Sequence, residues 1–441
     1  MAVVGAGAAG LTAAVTAAQT GARVLVLEKM RMVGGNSILA EDALTAVDDQ
    51  RGKQWSDDAK REILAEKHAL LAEMRRRGRT INAELDEELI DDSLAAVQWL
   101  QSIGCDLETS ETRPGSRHVR EYRAKEGLSL GSEVIGELLA RAEVAGVPVI
   151  TNARVVQLTQ EPSMHIDLEA LTMSGRRIKV HAKTVILATG GYAGSLDVVR
   201  RNCPNCPQLL TTNVAGATGD GIWLAENLGA AIVDRDAVML HPTTHALTGT
   251  LISKPLRKAG AILVNSKGKR FTNELGQTAA LASAITKQTG GVAYLIFDQK
   301  AVDHAALMQA YKARGYFVEA PNLTDLAAKL GINPQALGAT VTQWHTVYDT
   351  KKDPVFGRKD SIFTRIDTAP YYGQKISPAS QTTYGGVMRD AKSRAVRADG
   401  SVIPGLYVAG ETASQFGSGV TIAVVLGRLA GTEAAKEVEA K

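Results

Sequence analysis

Apolar positions gather into short blocks at the start of the chain. The triplet 2–4 is followed at once by Gly5, Gly7 and Gly10, an alanine-rich stretch comes next, and a second apolar block, 24–27, closes on Glu28. Two such blocks flanking an alanine-rich segment predict strand, helix, strand. Farther on, 57–77 and 84–103 carry Leu and Ile three and four apart among charged residues, the spacing of amphipathic helices. A further helix pattern covers 131–145, and 147–158, 165–173 and 177–180 alternate or run apolar as antiparallel strands do. The run 183–191, KTVILATGG, predicts a buried strand ending in a double glycine. Residues 216–221, GATGDG, form a glycine-rich loop opening a helix over 222–228, and 403–411, IPGLYVAGE, is another strand finishing in Gly410-Glu411. A last helix over 420–439 starts directly after Gly417-Ser418-Gly419.

Strands alternating with helices, 42 glycines and only 5% aromatics point to an α/β protein built on a doubly wound sheet with glycine-rich ligand turns. At 441 residues the chain has room for two or three domains, or one large α/β domain with an insertion. Fifty basic against 47 acidic residues leave a formal net charge of +3, which gives no electrostatic case for nucleic acid or an anionic membrane. No apolar run reaches the roughly 18 residues of a spanning helix. The chain starts inside its first predicted strand, so the expectation is a cytoplasmic protein without a leader peptide. Three cysteines, Cys105, Cys203 and Cys206, are too few for a disulfide framework. The Cys203-Pro-Asn-Cys206 pair has no second pair or nearby His to complete a metal site, so it reads as a loop feature.

The opening pattern carries chemistry. Gly5 allows a tight turn, Gly7 lets backbone amides approach a pyrophosphate at the helix N-terminus, and Gly10 permits close packing of helix on strand. Glu28, about twenty residues on, is placed to accept from ribose hydroxyls, so an adenine dinucleotide is expected. The double glycine at 190–191 lies at the C-terminal edge of its strand, where ligands of such sheets sit. The last helix would aim its positive N-terminal dipole at whatever the preceding loop holds.

Taken together, VVGAGAAG at 3–10, Glu28-Lys29, Gly34-Gly35-Asn36-Ser37, ATGG at 188–191, ATGDG at 217–221, His241-Pro242-Thr243, GAILVN with GKRFTNE, and IPGLYVAGE resemble the fumarate reductase/succinate dehydrogenase flavoprotein family, in the same order over nearly the whole chain. The resemblance implies a Rossmann-like FAD-binding domain of glutathione-reductase type, residues 1–236 and 375–441, interrupted by an α+β capping domain at 237–374 that closes over the isoalloxazine ring. It assigns FAD contacts to Gly5, Gly7, Ala8, Ala9, Gly10, Glu28, Lys29, Gly34, Gly35, Asn36, Ser37, Ala188, Thr189, Gly190, Gly191, Asp220, Gly410, Glu411, Ser418, Gly419 and Val420. The covalent flavin histidine of respiratory members should lie early in the chain. No histidine precedes His68, so non-covalent FAD is the expectation.

On the substrate side the match is partial. His241 takes the place of the carboxylate-binding histidine of the HPT motif, and Arg257 the basic end of an ExxR element whose acid is replaced by Lys254. The arginine that follows the GKRF motif in fumarate reductases is absent from Leu275-Gly276-Gln277-Thr278. The histidines before the cap-end motif are replaced in Gln381-Thr382-Thr383-Tyr384-Gly385-Gly386-Val387, and the arginine loop is shortened to Phe416-Gly417-Ser418-Gly419. A dicarboxylate needs paired charged donors, so a true fumarate reductase is not expected. The expected enzyme is an FAD-dependent oxidoreductase of CH–CH bonds that reduces a carboxyl- or carbonyl-activated alkene by hydride transfer from flavin N5, with a nearby acid protonating the neighbouring carbon. Tyr384 is the first candidate acid, ahead of Arg257, with Tyr371 and Tyr372 behind them; His241 is the third expected catalytic residue. Two alternatives stay open: a dehydrogenase or oxidase working in the desaturating direction, as in the ketosteroid and tricarballylate dehydrogenase branches, and a flavin-holding electron-transfer protein without substrate chemistry. The expected partners are a small-molecule substrate and an external electron donor or acceptor: NAD(P)H, reduced flavin or a redox protein.

Overall fold

The computed structural model describes every residue except 42, 77, 81–82, 110–116, 126–128, 162–164, 205–209, 305, 415–418 and 440–441. It divides into two compact units. One comprises Met1–Cys203, Asn213–Val238 and Thr382–Lys441, the other Pro204–Thr212 and Met239–Gln381.

The first unit is organised by a six-stranded sheet in the order Arg394–Val396, Val402–Val408, Val185–Leu187, Ala2–Val4, Leu25–Leu27, Val149–Ile150. All neighbours are parallel except the first pair, which is antiparallel. Ala2–Val4 and Val185–Leu187 are buried along their whole length and Val402–Val408 from Gly405 onward, as apolar runs in a covered parallel sheet must be. Helix Ala8–Gln19 connects the first two parallel strands and packs tightly on the last helix, Val420–Glu439. That approach is made by small residues: a Cβ at Gly427 would lie 2.5 Å from the Ala9 carbonyl oxygen, and one at Gly431 2.5 Å from that of Ala13.

The antiparallel meander is present as Ala153–Gln160, Ile166–Thr172 and Arg177–Ala182. The amphipathic pattern at 84–103, which reads as one helix, is two: Ala83–Asp91 and Ser93–Ile103. The buried Ser93 hydroxyl donates to the Ile90 carbonyl at 2.6 Å and accepts from the Val47 N–H at 3.1 Å. A side chain with such local partners competes with the helical ladder, and here it fixes the break. The helix expected from 222 starts earlier, at Asp220, directly on the left-handed Gly219.

The second unit centres on the strand Tyr371–Thr383. Along one path the order is Leu210–Thr211, Tyr371–Thr383, Ala293–Asp298, Ile262–Val264, and the strands Val238–His245 and Val318–Ala320 also pair with the central one. Helices cover this sheet with two apolar clusters, one around Leu256, Leu295 and Phe297, the other around Ile296, Leu337 and the fully buried Trp344. Residues Pro204–Thr212 belong to this unit although they lie far from the rest of it in sequence: Leu210 and Thr211 run parallel to Ala379 and Ser380.

Among the described residues no helix is long and apolar enough to cross a membrane.

Candidate active site

In the first unit the glycine turn is built for close approach. Gly5 has φ +103°, and its N–H donates to the Leu27 carbonyl at 2.8 Å. A Cβ there would lie 2.4 Å from the Ala188 carbonyl oxygen. Gly7 differs. The nearest atoms to a Cβ on it are the Gly34 oxygen at 3.7 Å and Ser37 Oγ at 3.9 Å, so the turn leaves a cradle above this residue. Gly7 is also the N-cap of the helix that carries Ala8, Ala9 and Gly10, and it supplies no side-chain cap to the orphan amides. Ala8 N–H donates to Ser37 Oγ at 3.3 Å.

The Glu28 carboxylate, 7% exposed, is held by two backbone donors, Ala6 N–H to Oε2 and Met30 N–H to Oε1, both at 2.8 Å. A carboxylate has about four acceptor positions, so both oxygens keep capacity for ribose hydroxyls. The cradle over Gly7, the dipole of the helix that it opens and the remaining capacity of Glu28 fit the pyrophosphate and ribose of FAD.

The loop at Gly34-Gly35-Asn36-Ser37 is stitched to this turn. Gly34 N–H donates to the Ala6 carbonyl, and Asn36 Oδ1 accepts from Val214 N–H at 2.9 Å. Lys29 bonds to Thr218 and to Asp220, 3.2 Å away, and Arg154 Nε reaches the same Asp220 oxygen at 2.9 Å. Against the upward push of burial, the Thr218 hydroxyl and these cations hold the Asp220 carboxyl below its usual range. Ala188 N–H donates to Val4, and Thr189 Oγ1 accepts from Gly221 N–H at 3.1 Å, tying that strand end to the glycine loop. Gly190 and Gly191 follow.

Glu411 comes beside Gly191. Its Oε1 accepts from both the backbone N–H and the hydroxyl of Thr383, at 2.8 and 3.0 Å, and a Cβ on Gly191 would sit 2.3 Å from the same oxygen. Burial pushes this carboxyl up to about 7, with the two Thr383 donors pulling the other way. Gly410 packs against Ala9, and Val420 is buried at the start of the last helix, just after Gly419. Ser418 and Cys206 lie outside the described residues.

Tyr384 is 8% exposed and its N–H donates to the Ala237 carbonyl at 2.9 Å. Burial and then the charge of Glu411 raise its hydroxyl to about 12, so it stays protonated throughout the neutral range. Tyr371 and Tyr372 belong to the second unit, where Tyr372 is locked between Lys312 and Gln299 and Tyr371 is partly exposed on the same strand.

The second unit brings His241 and Arg257 close enough for charge coupling. Desolvation, and then the Arg257 charge, push the His241 imidazole down to about 3, so it is neutral around pH 7. Thr243 presents both its carbonyl, at 3.0 Å, and its N–H, at 3.3 Å, to His241 Nδ1. Both neutral tautomers are thereby accommodated, and the one that accepts at Nδ1 offers Nε2–H as a donor. Arg257 is 4% exposed and lies in the last turn of the short helix Lys254–Lys258. Its Nη1 donates to the Glu274 carbonyl at 2.8 Å, while its buried Nε has no hydrogen-bond partner among the described residues. Burial and the neighbouring Arg358 lower it to about 10. Lys254, three residues earlier, is exposed.

Around Arg257 lies a network that sequence reasoning missed. Arg270 makes a two-pronged bond with Glu274, at 2.8 and 2.9 Å, and a third with Asp353 at 2.8 Å. Arg358, 1% exposed, donates to Glu274 Oε2 and to the carbonyls of Ala261, Arg257, Asp360 and Ser361. Arg270 and Glu274 lie on an isolated bridge and a turn, so no helical spacing pointed to them.

The FAD binding domain family matches residues 1–424. The "Fumarate reductase (cytochrome)" of Shewanella frigidimarina is 33% identical over 98% of this chain and 76% of its own length. The urocanate reductase of Eggerthella lenta is 31% identical over 98% of this chain and 74% of its own. Among solved structures, the open conformation of a flavocytochrome c3 fumarate reductase superposes with a TM-score of 0.81 at 29% identity, covering 99% of this chain and 78% of that one.

Proposed function

From the premise that this chain belongs to the FAD binding domain family, as an FAD-dependent oxidoreductase of the fumarate reductase/succinate dehydrogenase flavoprotein type acting on CH–CH groups, we propose that it reduces an alkene activated by a carboxyl or carbonyl group and is not a fumarate reductase proper. In this reading the first unit is the FAD-binding domain, holding the cofactor without a covalent bond, and the second is the substrate-binding capping domain. The observation that carries it is Arg257: a guanidinium nine-tenths and more buried, with an unpartnered Nε, coupled to a neutral His241.

FAD, when bound, would supply the hydride chemistry of the reaction. Arg257 Nε and His241 Nε2 donate to the activating oxygen, orienting the alkene and withdrawing charge as it builds there. Tyr384, a phenol of the first unit held neutral by burial, is the proposed proton donor. Glu28 and the amides of the first helix would hold the adenosine and pyrophosphate portions of FAD, and Glu411, fixed by Thr383, would serve the remainder. The electron donor is external: NAD(P)H, free reduced flavin or a redox protein.

The test is a steady-state comparison of two directions. Reduced viologen with a panel of alkenoic acids and enones should support turnover, and dye reduction with the saturated compounds should be slower. Turnover confined to the saturated compounds would replace this reading with a desaturating one.

A further inference from the structure

The chain passes from the second unit back to the first at the peptide bond between Thr212 and Asn213, and it is anchored on both sides of that bond. On the second-unit side, Leu210 and Thr211 pair with Ala379 and Ser380. The buried Ser380 offers its carbonyl to the Thr212 N–H at 3.0 Å and to the Thr211 and Thr212 hydroxyls at 3.3 Å, and its own hydroxyl donates to the Leu210 carbonyl at 3.3 Å. A Cβ on the left-handed Gly249 would lie 2.5 Å from the Thr211 oxygen, so the second unit also closes tightly on this short strand.

On the first-unit side, one carboxamide takes the next two residues. Asn36 Nδ2 donates to Asn213 Oδ1, and Asn36 Oδ1 accepts from the Val214 N–H at 2.9 Å. Asn36 stands between Gly34 and Ser37, whose oxygens wall the cradle over Gly7, yet both ends of its own side-chain amide are directed to 213–214. No residue is left over between the two anchors. Ser380 in turn lies on the strand Tyr371–Thr383, and only Gln381 and Thr382 separate it from Thr383, which holds Glu411 through its N–H and its hydroxyl. Covalent chain and hydrogen bonds therefore run without a break from the cofactor loop to the strand end that carries Tyr384.

We propose that Asn36 is a positioning residue. Its carboxamide fixes Asn213 and Val214, the adjoining strand Leu210–Thr212 fixes Ser380, and Ser380 sets where Thr383 and then Tyr384 are presented. The effect on turnover rests on the reading of Tyr384 as the proton donor; the effect on the strand does not.

Hydrogen–deuterium exchange and steady-state kinetics of the FAD-loaded protein test this with two substitutions at one position. Asn213→Ala removes the acceptor for Asn36, and Asn213→Asp keeps it. In the alanine variant, exchange at the Thr212 and Thr383 amides should rise roughly 2- to 10-fold, the effect of one net hydrogen bond on local opening. With the alkene turned over fastest in the viologen panel, kcat should fall by a similar factor while KM and flavin content stay as in wild type. The aspartate variant should restore wild-type exchange and kcat. Strand Ala293–Asp298, which pairs with the opposite end of the same central strand, should exchange alike in all three proteins. Unchanged exchange at Thr383 in Asn213→Ala would overturn the proposal. So would a rise that extends equally to Ala293–Asp298, which marks general loss of structure, or an aspartate variant as impaired as the alanine one. Faster exchange at Thr212 and Thr383, together with wild-type turnover of Tyr384→Phe, would keep this inference and remove the proton-donor reading.

Discussion

A Cβ on Gly10 would lie 1.9 Å from the carbonyl oxygen of Gly5, so the first helix touches the turn that feeds it and no larger residue fits between them. Gly7, in the same turn, has φ −80° and no atom within 3.7 Å of the corresponding position. The two glycines therefore answer to different constraints. Gly10→Ala should destabilise the fold itself by about 1–3 kcal/mol or more, as overpacking does. Gly7→Ala should leave the apoprotein as stable as wild type while abolishing FAD retention, because the added methyl occupies the cradle. Urea denaturation of the apoproteins and flavin content after purification separate these effects; a destabilised apoprotein for Gly7→Ala would remove the cradle argument.

Tyr384→Phe should retain FAD and slow alkene reduction by about 10²–10⁴-fold, the range for loss of a general acid. Because burial holds the hydroxyl near 12, the wild-type rate should show no tyrosine ionisation between pH 6 and 9. Turnover of the phenylalanine variant at the wild-type rate would return Tyr384 to a packing role.

Glu411 gives stability a pH dependence of known sign. Its native carboxyl titrates near 7, above the 4.5 of an unperturbed glutamate. The native apoprotein thus binds a proton that the unfolded chain has released between those values. Its contribution is complete below about pH 4.5, declines as pH rises to 7 and is flat beyond. Glu411→Gln can accept the same two Thr383 bonds without the titration, so it should gain on wild type across that window by roughly 3 kcal/mol. A stability difference that stays constant from pH 4.5 to 8 would contradict this assignment.

Arg270→Met should leave Asp353 without its ion-pair partner and Glu274 with one in place of two. Removing one member of a buried pair costs about 3–5 kcal/mol, so the expected readout is a large fall in denaturation midpoint, with FAD still bound by the other unit. A loss below roughly 1 kcal/mol, the level of an exposed pair, would show that the network is solvated.

What could be read in the sequence follows from the range over which each feature is encoded. Gly5, Gly7, Gly10 and Glu28 lie within one strand-helix-strand stretch, so spacing alone placed them around one turn, and the apolar runs at 185–187 and 403–408 predicted the sheet they join. The break at Asp92 escaped notice because it depends on Ser93 meeting Val47, a partner that the helical period does not encode. Likewise Leu210 and Thr211 pair with a strand near 380, a contact invisible to local pattern. Arg358 and Asp353 sit in a polar stretch that reads as surface, and burial is known only once Trp344 and Ala261 are brought around them.

The most direct measurement is anaerobic mixing of the reduced, FAD-loaded protein with an α,β-unsaturated acid while the visible flavin band is followed. Return of the oxidised band with one saturated acid formed per flavin is the predicted result. A flavin that stays reduced against every alkenoic acid and enone, in protein that a saturated substrate bleaches when oxidised, would contradict it.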